Sequence, residues 1–313
     1  MISNIRRTIL TVLATVLFLT RANAQVEVFM KNPIEKIKSG NTHIIVNNLT
    51  FSQSNEFYAV FKKYWTFTKG VEFLRAEDLQ NNLVAGDTYF SLENLVVRNE
   101  KYGGNSYFYL NLWMPDEKVV RKGKELKITD EISIAHIEIS TDAGTAMTSY
   151  FLQKGYGFDF DGGGHIFNWS PGMLKNYLQQ LGNLLQKGKK VGYTDDITNH
   201  DELKNLSHQT LYCSEDNFHK VGAFMRGDKN VDTVKVFEDY KYDYKILKGE
   251  ELSAKILADS GQFYYLLFLR DSSSKMVAVI NARTGEIIYS RFKSLMAFIL
   301  KPGDLKTLYK AIK

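Results

Sequence analysis

Residues Phe73 to Val84 read FLRAEDLQNNLV, and residues Ile246 to Leu257 read ILKGEELSAKIL. Laid over one another without a gap, Glu77 meets Glu250, Asp78 meets Glu251, Leu79 meets Leu252 and Leu83 meets Ile256. Each copy runs from a β-leaning pair into acidic residues that suit the positive end of a helix dipole. Each then leads towards an aromatic strand. A second echo follows in the same order, with Pro171-Gly172-Met173-Leu174-Lys175 matched by Pro302-Gly303-Asp304-Leu305-Lys306. The chain from Glu77 to Pro171 is longer than that from Glu250 to Pro302. Duplication of one unit, with a β-rich insertion near residues 99–169 of the first copy, accounts for both echoes and for the difference.

Outward from these stretches, hydrophobic periodicity predicts the remaining elements. His43 to Phe51 is a β-branched run closed by polar residues, and Asn55 to Trp65 places Phe57, Val60, Phe61 and Tyr64 at helical spacing. Strands are expected over Asp87 to Val97 and Tyr107 to Met114, with Gly103-Gly104-Asn105 as the turn between them. Lys118 to Ser140 contains two alternating runs, ELKITDEI and SIAHIEIS, which predict a pair of antiparallel strands. Ser170-Pro171 is a capping serine followed by proline at the first helical position, so a helix starts there. Residues 191–207 are polar without apolar periodicity and read as a linker. The second unit takes 208–313, with strands at Gln209 onward, Phe263 to Arg270, Met276 to Ala282 and Glu286 to Tyr289, and a final helix from Pro302.

The fold class is therefore α/β, with α+β also open: two tandem related units, each strand-helix-strand-helix-strands-helix around a mixed sheet. The boundaries are 25–190 and 208–313. This order of elements resembles the thioredoxin-like arrangement and other small βαβ-based periplasmic binding domains. A redox protein of that kind needs Cys-x-x-Cys, and this chain has Cys213 alone, which also excludes an internal disulfide.

The first 24 residues have the pattern of a secretory leader: Arg6 and Arg7, an apolar run from Thr8 to Thr20, then Ala22-Asn23-Ala24. The apolar run is too short to span a bilayer. A periplasmic or secreted location is expected, with no membrane span. The formal charge of +5 includes three leader arginines, so the rest of the chain is close to neutral. No basic stripe or nucleic-acid module accompanies it, and nucleic acid is not an expected partner.

Few residues suggest chemistry. Asp159 and Asp161 in DFDGGGH are spaced like the first ligands of a calcium loop, with His165 beside them, yet the fifth and twelfth positions are Gly163 and Ser170 and the match fails. His43, His136, His200, His208 and His219 are isolated in sequence, no Gly-x-Ser-x-Gly elbow is present, and no metal or cofactor is implied. Aromatic residues offer a contact surface, namely Trp169 and the run Tyr240, Tyr242 and Tyr244, whose period of two places all three on one strand face. The expected function is that of an exported, non-catalytic binding or scaffold protein. Its ligand would be an envelope or extracellular protein or a glycan, held through Asp159, Asp161, His165, Trp169 and the three tyrosines. The alternative is an extracytoplasmic hydrolase with its active loop around Asp159 to His165.

Overall fold

A computed structural model describes residues 26–46, 54–99, 103–141, 166–188, 196–218, 232–259, 261–270, 274–294 and 299–313. The leader segment 1–24 and Asp159, Asp161 and His165 lie outside the described residues. The protein is mixed α/β, with two mixed sheets and flanking helices.

The first sheet contains β1 (Val26–Val28), β2 (Thr42–Val46), β3 (Val71–Arg75), β4 (Thr88–Asn99), β5 (Gly103–Pro115), β6 (Glu131–Thr141) and β7 (Ile166–Phe167). Its order is β1-β6-β5-β4-β2-β3, with β7 paired to β6. Strand β2 runs parallel to both β3 and β4, and β4, β5 and β6 form an antiparallel meander. The helices of this half are α1 (Pro33–Ile37), α2 (Ser54–Tyr64), α3 (Glu117–Arg121) and α4 (Pro171–Gln186). In the second half they are α5 (His200–Leu203), α6 (Thr233–Val236), α7 (Gly249–Leu257) and α8 (Pro302–Ile312). The second sheet has β8 (Leu211–Ser214), β9 (Tyr244–Leu247), β10 (Tyr264–Arg270), β11 (Ser274–Asn281) and β12 (Ile287–Ser294), in the order β12-β11-β10-β8-β9.

The two sheets follow one plan. Strands β9, β8 and β10 are parallel neighbours as β3, β2 and β4 are, and β10, β11 and β12 form the same antiparallel meander. Register repeats as well: Thr42 stands opposite both Val71 and Thr88, and Leu211 stands opposite both Tyr244 and Tyr264. Pairing of Tyr89 with Trp113 is matched by pairing of Tyr265 with Ile280. A register irregularity falls between Leu112 and Trp113 towards β6, and its counterpart falls between Val279 and Ile280 towards β12. Such irregularities aim side chains and bend strands, and here they recur at matching places.

The opening echo sits at matching places but takes two forms. Gly249–Leu257 is an α-helix, whereas Ala76–Asn82 is a 3-10 helix. The first copy ends in Asn81-Asn82, and the Asn82 amide donates to the Asp78 carbonyl at 2.8 Å, a local bond that competes with helix propagation. The second has Ala254, Lys255 and Ile256 there, which favour the α form. In both, the buried leucine is the aligned one, Leu79 and Leu252.

One apolar core runs between the sheets. It joins Ile44, Phe90, Leu110, Leu112 and Ile137 of the first to Tyr265, Leu267, Leu269, Met276, Ala278 and Ile280 of the second. Helix α4 fills the space with Met173, Leu174, Tyr177, Leu178, Leu181 and Leu185. Its start is capped as its sequence requires: Ser170 Oγ accepts from Met173 N. Helix α4 also rests on α7. Gly172 N donates to Ser253 Oγ at 3.0 Å, and Lys175, 1% exposed, donates to the Ile256 carbonyl at 3.0 Å. A Cβ on Gly172 would lie 2.5 Å from the Ser253 carbonyl oxygen, so glycine sets this helix spacing. A second cluster under the other face of the second sheet includes Leu211, Cys213, Leu266, Leu305 and Leu308.

Three expectations are corrected. ELKITDEI does not form a strand of its own; only its last two residues, Glu131 and Ile132, belong to β6. Asp116 caps α3 by accepting from Lys118 N, and the Asp130 carboxylate accepts from Lys127 N, so local bonds fold 116–130 into two short turns of helix. Gly103-Gly104-Asn105 belongs to β5, with Gly103 opposite Asn99. Finally, the described part of the polar stretch 191–207 is built onto the second sheet. Asn199 caps α5, and Leu203 and Leu206 are both 0% exposed. Two leucines three residues apart suffice to dock one turn, a pattern too short for periodicity to register.

Candidate functional site

The sequence-nominated aromatic residues are placed apart. Trp169 stacks on Phe57 of α2 with ring centroids 5.2 Å apart and packs against the inter-sheet core. Strand β9 begins only at Tyr244, so the three tyrosines do not share a strand face. Tyr240 is buried against Phe237, Tyr242 meets Tyr309 of α8, and Tyr244 stacks on Phe237 at 3.8 Å. Burial drives the Tyr240 hydroxyl pKa upward. This cluster packs the flank of the second sheet.

The polar chemistry lies on the outer face of the first sheet, around a histidine that the sequence presented as isolated. An open cleft of about 740 Å³ is bounded by residues 39–41, 43, 69, 72–74 and 81–87 at the starting ends of β2, β3 and β4. His43 is brought to Asp87 by the parallel pairing of β2 with β4. Its Nε2 donates to Asp87 Oδ2 at 2.8 Å, and Asp87 Oδ1 accepts from Asn41 N at 2.9 Å. Both side chains are largely buried. The close approach depends on Gly40, where a Cβ would collide with the Gly86 carbonyl and crowd Asp87 Oδ1. A carboxylate only accepts, so Asp87 fixes the ring tautomer, and in the neutral ring Nδ1 carries the lone pair. Glu72 Oε2, largely exposed, lies 3.8 Å from that Nδ1.

Behind His43 the face continues as a stack. Tyr89 lies parallel to the imidazole at 5.0 Å, and Trp113 lies parallel to Tyr89 at 4.8 Å. The Tyr89 hydroxyl donates to the Asn82 carbonyl and accepts from Val84 N, tying the sheet to the far wall of the cleft. Burial pushes its pKa up to about 12. Beyond the stack, Trp113 Nε1 donates to Ser91 Oγ, Ser91 donates to Glu93, and Asn111 Nδ2 donates to both Glu93 oxygens at 2.9 Å. Burial raises the Glu93 carboxyl above its ordinary value, although the bonds from Ser91 and Asn111 pull the other way. His136 stacks on Tyr109 at 4.6 Å, and burial lowers its pKa to about 4, so its ring is neutral at physiological pH.

The second sheet provides an internal comparison. By register, Tyr89, Ser91, Glu93, Trp113, Asn111 and Tyr109 correspond to Tyr265, Leu267, Leu269, Ile280, Ala278 and Met276. Those six are fully buried and, except for the tyrosine hydroxyl, apolar. His43 corresponds to Tyr212 and Asp87 to Phe263, each the neighbour of a matched residue in its strand. A smaller recess there, about 260 Å³, is bordered by Tyr212, Phe263 and Lys255. Lys255 Nζ sits 4.5 Å from the Tyr212 ring centroid and 4.7 Å from that of Phe263. The fold thus accommodates an aromatic pair where the first unit has His43 and Asp87. The six apolar residues line the core between the sheets, whereas their counterparts lie on the outer face of the first sheet, where bonded polar groups are tolerated.

Among the described residues no three His, Cys, Asp or Glu side chains converge as a metal set, and no helix is long and apolar enough to cross a membrane. No family model, curated protein or solved structure matches the chain.

Proposed function

We propose that this chain is an exported binding protein that holds a polar ligand in the His43–Asp87 cleft of its first sheet. The observation that supports the reading is the contrast between equivalent clefts: Tyr212 and Phe263 close one with Lys255, while His43 and Asp87 leave the other open and polar. Ligand sites combine a preformed concavity with a few placed polar groups, and this cleft has both. Glu72, Lys69, Asn41 and Asn81 on its walls suit a hydroxyl-rich ligand such as a glycan, or the main chain of an extended peptide. Export is supported by the leader-like residues 1–24. Because Asp87 fixes a ring tautomer by one bond and holds Asn41 N with the other oxygen, the pair is built for orientation of a contact.

The test is a double variant that copies the second unit, His43→Tyr with Asp87→Phe, titrated calorimetrically against neutral mono- and disaccharides and short peptides. The expected result is a folded protein of near-parental melting temperature that no longer binds what the parent binds. Retention of the same affinity in the double variant refutes the assignment of the cleft.

A further inference from the structure

We infer that the first cleft recognises one primary ammonium group on a polar ligand, an amino sugar being the simplest example, seated between His43 Nδ1 and Glu72. This rests on the cleft being the binding site proposed above. Asp87 accepts from the Nε2–H, so Nδ1 is the ring nitrogen turned to Glu72, and without a proton it is an acceptor. Glu72 Oε2, also an acceptor, faces it at 3.8 Å. A donor placed between the Glu72 carboxylate and an unprotonated Nδ1 bonds to both. An ammonium nitrogen reaches both at ordinary hydrogen-bond distance, and its bond to a carboxylate is charge-assisted.

The second unit already shows an ammonium at the equivalent place. Lys255 sends its Nζ over Tyr212 and Phe263, the counterparts of His43 and Asp87. In the alignment of FLRAEDLQNNLV with ILKGEELSAKIL, Lys255 falls on Asn82. Asn82 lines the first cleft but carries no charge, and its amide is already committed to the Asp78 carbonyl. The first cleft therefore has the position without the resident cation, and acceptors where the second has ring faces. Lys69 also lines it, which disfavours a ligand that is cationic throughout and favours a single ammonium on a neutral, polar body.

The experiment is calorimetric titration of the purified full-length protein with glucosamine, N-acetylglucosamine and glucose, on the parent, Glu72→Gln and Asn82→Lys. Expected are glucosamine binding at least about tenfold tighter than either neutral sugar, a loss of about tenfold in Glu72→Gln for glucosamine alone, and abolition in Asn82→Lys, whose own ammonium fills the cleft as Lys255 does. Glucosamine and N-acetylglucosamine binding equally, or Glu72→Gln leaving glucosamine affinity unchanged, overturns the ammonium assignment. In that case neutral-sugar binding that disappears in the His43→Tyr, Asp87→Phe double variant keeps the cleft as the site. Absence of binding by all three sugars to the parent overturns the ammonium inference and counts against a glycan in the cleft. Thermal melts of each variant separate loss of binding from loss of fold.

Discussion

Alanine at Gly172 and alanine at Gly303 are the same substitution in the same Pro-Gly-x-Leu-Lys motif, and the structure gives them opposite outcomes. At Gly172 the added Cβ would stand 2.5 Å from the Ser253 carbonyl oxygen and 2.8 Å from Ser253 Cα, both of them backbone atoms of α7. No rotamer change relieves such a contact, so α4 and α7 must separate, stretching the Gly172 N to Ser253 Oγ bond. Overpacking of this kind costs about 1–3 kcal/mol, and loss of the bond adds about 1 kcal/mol. Alanine's better helix propensity returns about 0.5–1 kcal/mol. The net loss is about 2 kcal/mol, which for a chain of this size lowers the melting temperature by roughly 3 °C. At Gly303 an added Cβ meets no atom within 4 Å. Only the propensity gain applies there, and Gly303→Ala should be neutral or stabilising by up to about 0.5 kcal/mol. Urea unfolding followed by far-UV circular dichroism gives both values. Equal effects at the two glycines would refute the claim that α4 is held against α7 by backbone contact.

Asp304 accepts from buried Lys275 and from Lys293, and its carboxylate also caps Lys301 N. Asp304→Asn strands the Lys275 charge and should cost about 3 kcal/mol in urea unfolding at neutral pH. Burial alone would raise the Asp304 pKa, but these donors outweigh it and the value is lowered. The parent's extra stability is therefore present above the ordinary carboxylate pKa and is lost as pH falls through the lowered one, so the gap between parent and Asp304→Asn should close in strong acid. Glu93 has the opposite sign: burial raises its pKa, so ionisation costs stability as pH rises through the ordinary value. Glu93→Gln should gain on the parent between mildly acidic and neutral pH; a pH-independent difference would contradict this. Cys213 is fully buried and burial drives its thiol pKa upward. A disulfide reagent should label it only in denaturant, and rapid labelling of the native protein would refute its placement in the core.

Much of the architecture was written in local pattern. Ser170-Pro171 announced α4 because a cap is chemistry within four residues, and the echo between Phe73–Val84 and Ile246–Leu257 falls on matching elements because helix-start acids and a buried leucine are local requirements. The alternation in ELKITDEI misled because period two describes a strand only when a partner exists, and Asp116 and Asp130 satisfied the backbone first. The cleft was not legible for a different reason. His43 and Asp87 meet only through the register of β2 with β4, a tertiary fact. The nearest signal was the unit comparison itself: carried past Val84 to Asp87, it sets Asp87 near Phe263, an acid against an aromatic at a buried strand start.

Helix α4 belongs by sequence to the first unit and by contact to both. A ribosome releases it long before Ser253, Ile256 or the second sheet exist. In that interval Lys175 lacks the Ile256 carbonyl, and the leucines of α4 lack their neighbours in the second sheet. Truncation after α4 should therefore yield a protein that aggregates rather than folds alone.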